Sequence, residues 1–136
     1  MLNQEQQLKL FEYWKNGSEE DFSTAQEICS QTNKRVAALF FLHLAIEKAL
    51  KAEIVNLTKD HPPFTHNLLH LTQKLSWNPE ESILTVLAEI NDFNLESRYP
   101  DYKKTLYHKA TKEFTDHYIN KGKEIFTWIS LKSKVK

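Results

Sequence analysis

The sequence is poor in the residues that form tight turns and covalent cross-links. Its 136 residues include only two glycines, four prolines and one cysteine, Cys29. So few glycines and prolines argue against a many-stranded β fold, whose turns need them, and favour a few long helices. A lone cysteine excludes an internal disulfide and a zinc site built from several cysteines.

Several signatures of catalysis and of membrane insertion are also missing. The sequence has no glycine-rich phosphate loop, no Gly-x-Ser-x-Gly elbow and no His-Glu-x-x-His metal motif. It has no run of about 18 apolar residues that would span a bilayer, and residues 1–9 lack the apolar centre of a secretory signal. We therefore expect a cytoplasmic protein with no cofactor, no bound metal and no membrane association.

The composition is that of one folded domain. Hydrophobic residues make up 40% of the chain and charged residues 26%, so disorder is not expected. The 18 basic residues are balanced by 18 acidic ones, so any contact with nucleic acid has to come from a local patch. The sequence predicts a single domain over residues 1–136.

Apolar residues recur at helical spacing along most of the chain. The predicted helices cover residues 3–15, 18–31, 34–57, 66–75, 79–96 and 111–131. Thr65 is predicted to cap the short fourth helix, Asn78 to cap the fifth, and Pro100 to end it. This pattern predicts an all-α fold, an up-and-down antiparallel four-helix bundle with an additional short helix.

The two glycines lie in different parts of the predicted helices, one at a helix end and one inside a helix. Asn16-Gly17 is predicted to end the first helix, because both residues tolerate a left-handed turn, and Ser18 to cap the next. Gly122 lies inside the last predicted helix, where glycine costs about 1 kcal/mol relative to alanine. A close helix crossing would explain a glycine at that position.

The central predicted helix carries the first set of side chains suited to chemistry. His43, Glu47 and Lys51 are four residues apart and share a face, and Lys48 lies beside that face. A histidine and a glutamate on an apolar stripe are costly unless they are paired, so His43 and Glu47 are interpreted as structural polar residues. The two lysines are either solvated or supply positive charge to a ligand.

Two further segments carry candidate residues. His66, at the predicted start of the short helix, either binds or transfers a proton near neutral pH, or packs in a capping turn. Arginine occurs only twice against sixteen lysines, so Arg98 favours bidentate recognition of carboxylate or phosphate. Tyr99 would stack on a base, and Asp101 would hold the guanidinium. The alternative is an internal bridge from Arg98 to Glu47 or Asp101.

In this order and on these helices, the three segments resemble the HEPN family. The family pattern Ala-x-Glu-Lys-Ala-Leu-Lys-Ala is similar to residues 45–52, Thr-His-(Asp/Asn)-Leu to residues 65–68, and Arg-Tyr-Pro-Asp to residues 98–101. Trp14 and Trp128 match an early tryptophan and a late aromatic residue. The resemblance covers nearly the whole chain and implies a helical bundle, often a homodimer, that binds nucleotides or RNA.

The resemblance also implies a biological setting. Many members sit beside a minimal nucleotidyltransferase in two-component modules, including toxin–antitoxin pairs. Several branches are metal-independent RNases in which histidine follows arginine after four to six residues. Here nine residues separate Arg98 from His108 and seven separate Arg35 from His43, so the chain departs from that RNase spacing.

These observations predict a nucleotide- or RNA-binding component of a toxin–antitoxin-like module. The expected partners are nucleotide or RNA, a minimal nucleotidyltransferase and a second copy of the chain. The candidate ligand-binding residues are Lys48, Lys51, His66, Arg98, Tyr99 and Asp101. One alternative is a metal-independent ribonuclease toxin, with Arg98, His66 and His108 as catalytic candidates; another is a non-catalytic dimeric scaffold protein.

Overall fold

A computed structural model describes residues 1–134, apart from the side chains of residues 95–97 and 134. The described chain contains six helices and no strand, which confirms the all-α class. The helices are α1 (Gln4–Gln31), α2 (Arg35–Thr58), α3 (Leu68–Leu75), α4 (Glu81–Arg98), α5 (Pro100–Lys109) and α6 (Lys112–Lys134). Among the described residues, none of these helices has the length and apolar character needed to cross a membrane.

Helix α2 is the centre of the fold and contacts all five other helices described. Its apolar residues Leu39, Leu42, Ile46 and Leu50 follow helical spacing and are fully buried. Small residues on the remaining faces of α2 are buried as well, so the helix is enclosed around most of its circumference. This enclosure also buries the polar side chains that α2 carries.

Helix α1 runs without interruption through Asn16-Gly17, so the predicted break at this dipeptide is wrong. The Ser18 hydroxyl is buried and donates a hydrogen bond of 2.7 Å to the carbonyl of Ala45 in α2. A Cβ atom added to Gly17 would lie 3.1 Å from Cδ of Lys48. The small residues therefore allow α1 and α2 to pack closely, and no left-handed turn forms.

Two helix starts also differ from the prediction. Asn67, and not Thr65, caps α3, because its side chain accepts hydrogen bonds from the amides two and three residues later. Asn78 does not cap α4, because it has a left-handed φ of 49° and lies in the turn between α3 and α4. Asparagine tolerates that conformation better than most residues, so it serves the turn, and α4 begins after Glu80.

Helix α5 was not predicted from the sequence. Pro100 was expected only to end α4, but it also occupies the first turn of α5, where its missing N–H costs nothing. Leu106 is the only buried residue within α5, so the segment shows little apolar periodicity. Helix α6 begins after Thr111, as predicted, and extends beyond the predicted end at residue 131.

Gly122 lies where α6 crosses α2, which confirms the predicted close crossing. A Cβ atom at this position would lie 2.5 Å from Cδ1 of Leu42 and 3.4 Å from the ring of Phe22. Leu42 is fully buried in α2 and has little room to move away.

We expect Gly122→Ala to destabilise the protein and Gly17→Ala to leave it unchanged or stabilise it. Alanine favours a helix by about 1 kcal/mol at both positions. At position 122 the new methyl group must displace buried Leu42, and overpacking typically costs about 1–3 kcal/mol. At position 17 the neighbour is the part-exposed side chain of Lys48, which has room to shift. Urea unfolding followed by circular dichroism measures both effects, and equal effects at the two sites would contradict this account of packing.

Candidate functional site

A buried polar cluster surrounds Glu47 in the middle of α2. The Glu47 carboxylate accepts a hydrogen bond of 3.0 Å from Nζ of Lys51, one helical turn later. It also accepts from Nδ1 of His66, which lies 3.0 Å from one carboxylate oxygen and 3.1 Å from the other. Lys51 is itself buried, and its ammonium group lies 5.0 Å from the centre of the Trp14 ring. These contacts offset the cost of removing two charges from water.

His66 differs from the rest of the Glu47 cluster because half of its side chain is exposed. A carboxylate only accepts hydrogen bonds, so Nδ1 of His66 carries the proton that faces Glu47. The carboxylate therefore fixes the orientation of an imidazole ring that solvent can reach.

His43 is fully buried beside Glu47 and is held neutral. Its Nε2 donates to the carbonyl of His66 at 2.9 Å, and its Nδ1 lies 3.7 Å from Oε1 of Glu47. Among the described residues, Nδ1 has no hydrogen-bond partner. Burial lowers the pKa of His43 to about 4, although the nearby charge of Glu47 acts in the opposite direction.

We expect the free energy of unfolding to decrease as the pH falls from about 6.5 towards 4. The pKa of His43 is 6.5 in its ordinary state and about 4 in the fold, so the unfolded chain binds more protons between these values. This contribution is fully present above pH 6.5, and its complete loss corresponds to roughly 3 kcal/mol. Urea unfolding across this pH range measures the slope.

The matched control for this prediction is His43→Gln, which keeps a donor near the His66 carbonyl but does not titrate. Its pH profile should be flatter than that of the natural protein over the same range. The account of His43 would be wrong if both proteins lost stability with the same slope.

Lys48 is also paired within the bundle. Its Nζ lies 2.7 Å from Oδ2 of Asp21 and joins α2 to α1. The charges of Lys48 and Lys51 are thus both directed to carboxylates of the protein itself. In the described part of the chain, no group of three residues is arranged to hold a metal ion.

A second site, here named the arginine cavity, lies at the amino end of α2. It has a volume of about 760 Å³. Both arginines of the chain line it, together with Lys34, Lys103 and His108, and no acidic residue is among its described lining. The rest of the wall is apolar, aromatic or uncharged and comprises Asn33, Val36, Ala37, Phe40, Tyr107, Ala110 and Thr111.

Three elements assemble the arginine cavity. The first turn of α2 supplies Arg35, and the end of α4 supplies Arg98. Lys103 and Tyr107 are one turn apart on α5 and therefore share a face of that helix. Arg35, Lys103 and Tyr107 are not among the residues that the sequence predicts for a ligand site. Arg35 could have been found because it is the only arginine besides Arg98. Lys103 and Tyr107 could not, because the helix that brings them to the cavity was not predicted.

Five of the predicted site residues therefore separate into two groups. Arg98 and His108 line the arginine cavity, whereas Lys48, Lys51 and His66 belong to the middle of α2 or contact it. A helix rises about 1.5 Å per residue, so Lys51 lies roughly 24 Å along α2 from the start of that helix at Arg35. Whether these lysines and His66 contact a ligand stays a prediction.

Arg98 is exposed and, in the described part of the chain, forms no ion pair with Glu47 or Asp101. The arrangement that would favour a purely structural role, with Arg98 sealed against Glu47, is therefore not formed. Tyr99 is half exposed and packs edge-on against Tyr102 at 6.5 Å between ring centres. Tyr99 and Asp101 lie in the sequence between the lining residues Arg98 and Lys103, but neither of them lines the arginine cavity.

The chain belongs to the HEPN domain family, whose model matches residues 11–133. This confirms the resemblance seen in the three sequence segments. The crystal structure of TT1696 from Thermus thermophilus is similar, with a TM-score of 0.74 and 18% identity. The likeness covers 90% of this chain and 97% of that chain, and at this identity it shows a shared fold. A comparison with curated proteins gives no match.

Proposed function

We propose that the protein binds nucleotides or RNA at the arginine cavity. The observation that carries this proposal is the convergence of Arg35 and Arg98 with two lysines on one cavity whose described lining has no acidic residue. Acidic and basic residues are equally numerous in the chain, so this is a local concentration of positive charge. Membership of the HEPN family supports a function related to nucleotides or RNA.

The side chains of the arginine cavity suit both parts of a nucleotide. Guanidinium groups donate paired hydrogen bonds to phosphate oxygens, and the effect is stronger where the cation is partly desolvated, as Arg35 is. Phe40 and Tyr107 provide aromatic surface against which a base stacks. Positive and aromatic groups thus occur together within one cavity.

We expect Arg98→Ala and Lys103→Ala each to weaken binding of a short single-stranded RNA, Arg98→Ala by about tenfold. The loss follows from removal of a cation that faces the phosphate. Lys104→Ala is the matched control, because Lys104 is the next residue of α5 and does not line the cavity. Fluorescence anisotropy at fixed salt measures the affinity, and circular dichroism checks that each variant keeps its helices.

Raising the salt concentration should weaken binding by the natural protein more steeply than binding by Arg98→Ala, because the variant makes fewer phosphate contacts. An equal loss of affinity in the Lys103 and Lys104 variants would contradict the proposed site. So would an affinity that is the same in Arg98→Ala and in the natural protein.

A second candidate function, metal-independent ribonuclease activity, is favoured by one observation. His108 and Arg98 line the same cavity even though nine residues separate them in sequence. A histidine and a guanidinium group that line one cavity are suited to act together, the histidine moving a proton while the arginine stabilises charge on the reacting phosphate. His66 lies outside this cavity lining, so His108 is the histidine that this proposal uses.

If this second candidate is correct, the protein should cleave RNA in the presence of a chelator, and His108→Ala should slow cleavage by about 100-fold or more. The same variant should keep most of its affinity for RNA, because Arg98 and Lys103 remain. Gel analysis of a labelled RNA measures cleavage. The candidate is rejected if cleavage is absent, or if it persists unchanged in the variant.

Family membership also motivates a proposal about partners. We infer that the protein acts in a toxin–antitoxin-like module with a minimal nucleotidyltransferase, and that it forms a homodimer. The support is the match to the HEPN family over residues 11–133. Light scattering of the purified protein tests the dimer, and co-purification with a nucleotidyltransferase encoded by a neighbouring gene tests the module.

A further inference from the structure

We infer that the arginine cavity recognises a phosphate monoester, the chemical group found on a mononucleotide or at the 5′-phosphorylated end of an RNA, in preference to an internal phosphodiester. This inference rests on the proposed function and names the ligand class for the same site. Three properties of the cavity support it: backbone donors at the start of α2, the number of cations, and the size and lining of the space.

The first property is the amino end of α2, a helix of 24 residues whose first turn forms one wall of the cavity. Lys34 stands at the capping position, and no side chain in the described chain caps this end. The first helical hydrogen bond runs from the amide of Ala38 to the carbonyl of Lys34 at 3.2 Å. The preceding amides of α2 are therefore donors without an acceptor in the helix, at the positive end of its dipole.

The second property is the number of positive charges around this helix end. Four cationic side chains line the cavity, and no acidic residue is among its described lining. Outside the lining, a hydrogen bond with Lys112 and, to a smaller extent, the charge of Arg35 lower the pKa of the Asp116 carboxyl group, so Arg35 has a carboxylate acting on it. A phosphodiester carries one negative charge and offers two free oxygens. A phosphate monoester carries a charge of about −1.5 to −2 at pH 7 and offers three. Two guanidinium groups and the first-turn amides together provide more donors than a diester can accept.

The third property is the shape of the space. A volume of about 760 Å³ falls within the range of small-molecule sites, roughly 300–1,000 Å³. Beside the cationic residues part of the wall is apolar, with Val36, Ala37, Phe40 and Ala110. Such a cavity takes up one nucleotide with its phosphate at the start of α2. A site for a continuous strand would need cations spaced along a groove.

The test compares probes that differ in the form of their phosphate group. Hexa-adenylate RNA with a 5′-phosphate and the same RNA with a 5′-hydroxyl are titrated against the full chain, together with AMP and 3′,5′-cyclic AMP. We expect the 5′-phosphate to raise RNA affinity by about tenfold or more, and AMP to bind more tightly than the cyclic diester by a similar factor. If the phosphorylated RNA binds and AMP does not, the ligand is an RNA end; if AMP binds as well, the cavity also accepts free nucleotides.

A pair of variants tests the contribution of the helix end separately. Lys34→Ser and Lys34→Ala remove the same charge, but only serine offers an oxygen to the first-turn amides of α2 and thereby competes with the phosphate. We expect the serine variant to bind the 5′-phosphorylated RNA about three- to tenfold more weakly than the alanine variant. The serine variant should also unfold at the same or a higher temperature, so a folding defect cannot account for the loss.

The outcomes distinguish this inference from the proposed function. If both RNAs bind equally well and Arg98→Ala weakens both, the preference for a monoester is overturned and the proposed function stands. If neither RNA nor AMP binds, or if Arg98→Ala changes nothing, the proposed function is overturned as well. Equal affinities of the two Lys34 variants would overturn the location of the phosphate at the start of α2.

Discussion

The enclosure of α2 by the other helices is the constraint on which the rest of the structure depends. Because solvent reaches little of this helix, each polar side chain that it carries needs a partner from the protein. Glu47 meets this requirement through Lys51 and His66, and removal of one partner would leave a buried charge, which typically costs about 3–5 kcal/mol. The contact with His66 also ties the segment before α3 to the middle of α2. The helices that bury the apolar core around α2 therefore also have to supply the partners of its polar side chains.

The extent to which the fold can be predicted depends on whether the contacts of a residue lie within its own helix or on another helix. Apolar periodicity predicts α2 well, because spacing along one helix is a local property. The role of Gly17 cannot be predicted in this way, because its neighbour Lys48 lies on another helix. Helix α5 was not predicted for a different reason: with only Leu106 buried, its sequence shows little of the apolar periodicity that identifies a helix.

The candidate site can also be predicted only where it depends on local sequence, and not where it depends on contacts between helices. Family motifs identify Glu47, His66 and Arg98 as notable, but they do not indicate that Arg98 lines a cavity to which the other two do not belong. The convergence of Arg35 and Arg98 depends on how the end of α4 meets the start of α2, and that geometry is a tertiary property. A recurring motif thus combines residues that stabilise the bundle with a residue that faces an open cavity, and residue type alone does not separate them.

The shallow anchoring of α5 has a consequence for how proteins of this kind diversify. Leu106 is the only residue of this helix that is buried, while the residues that α5 contributes to the arginine cavity are exposed. Substitutions on exposed helical positions usually change stability by less than about 0.5 kcal/mol. A lineage can therefore replace Lys103, Tyr107 or His108 and change the charge and shape of the cavity wall while the interior stays the same. The opposite wall, built on the start of α2, has less freedom to vary because the core begins within one turn of it.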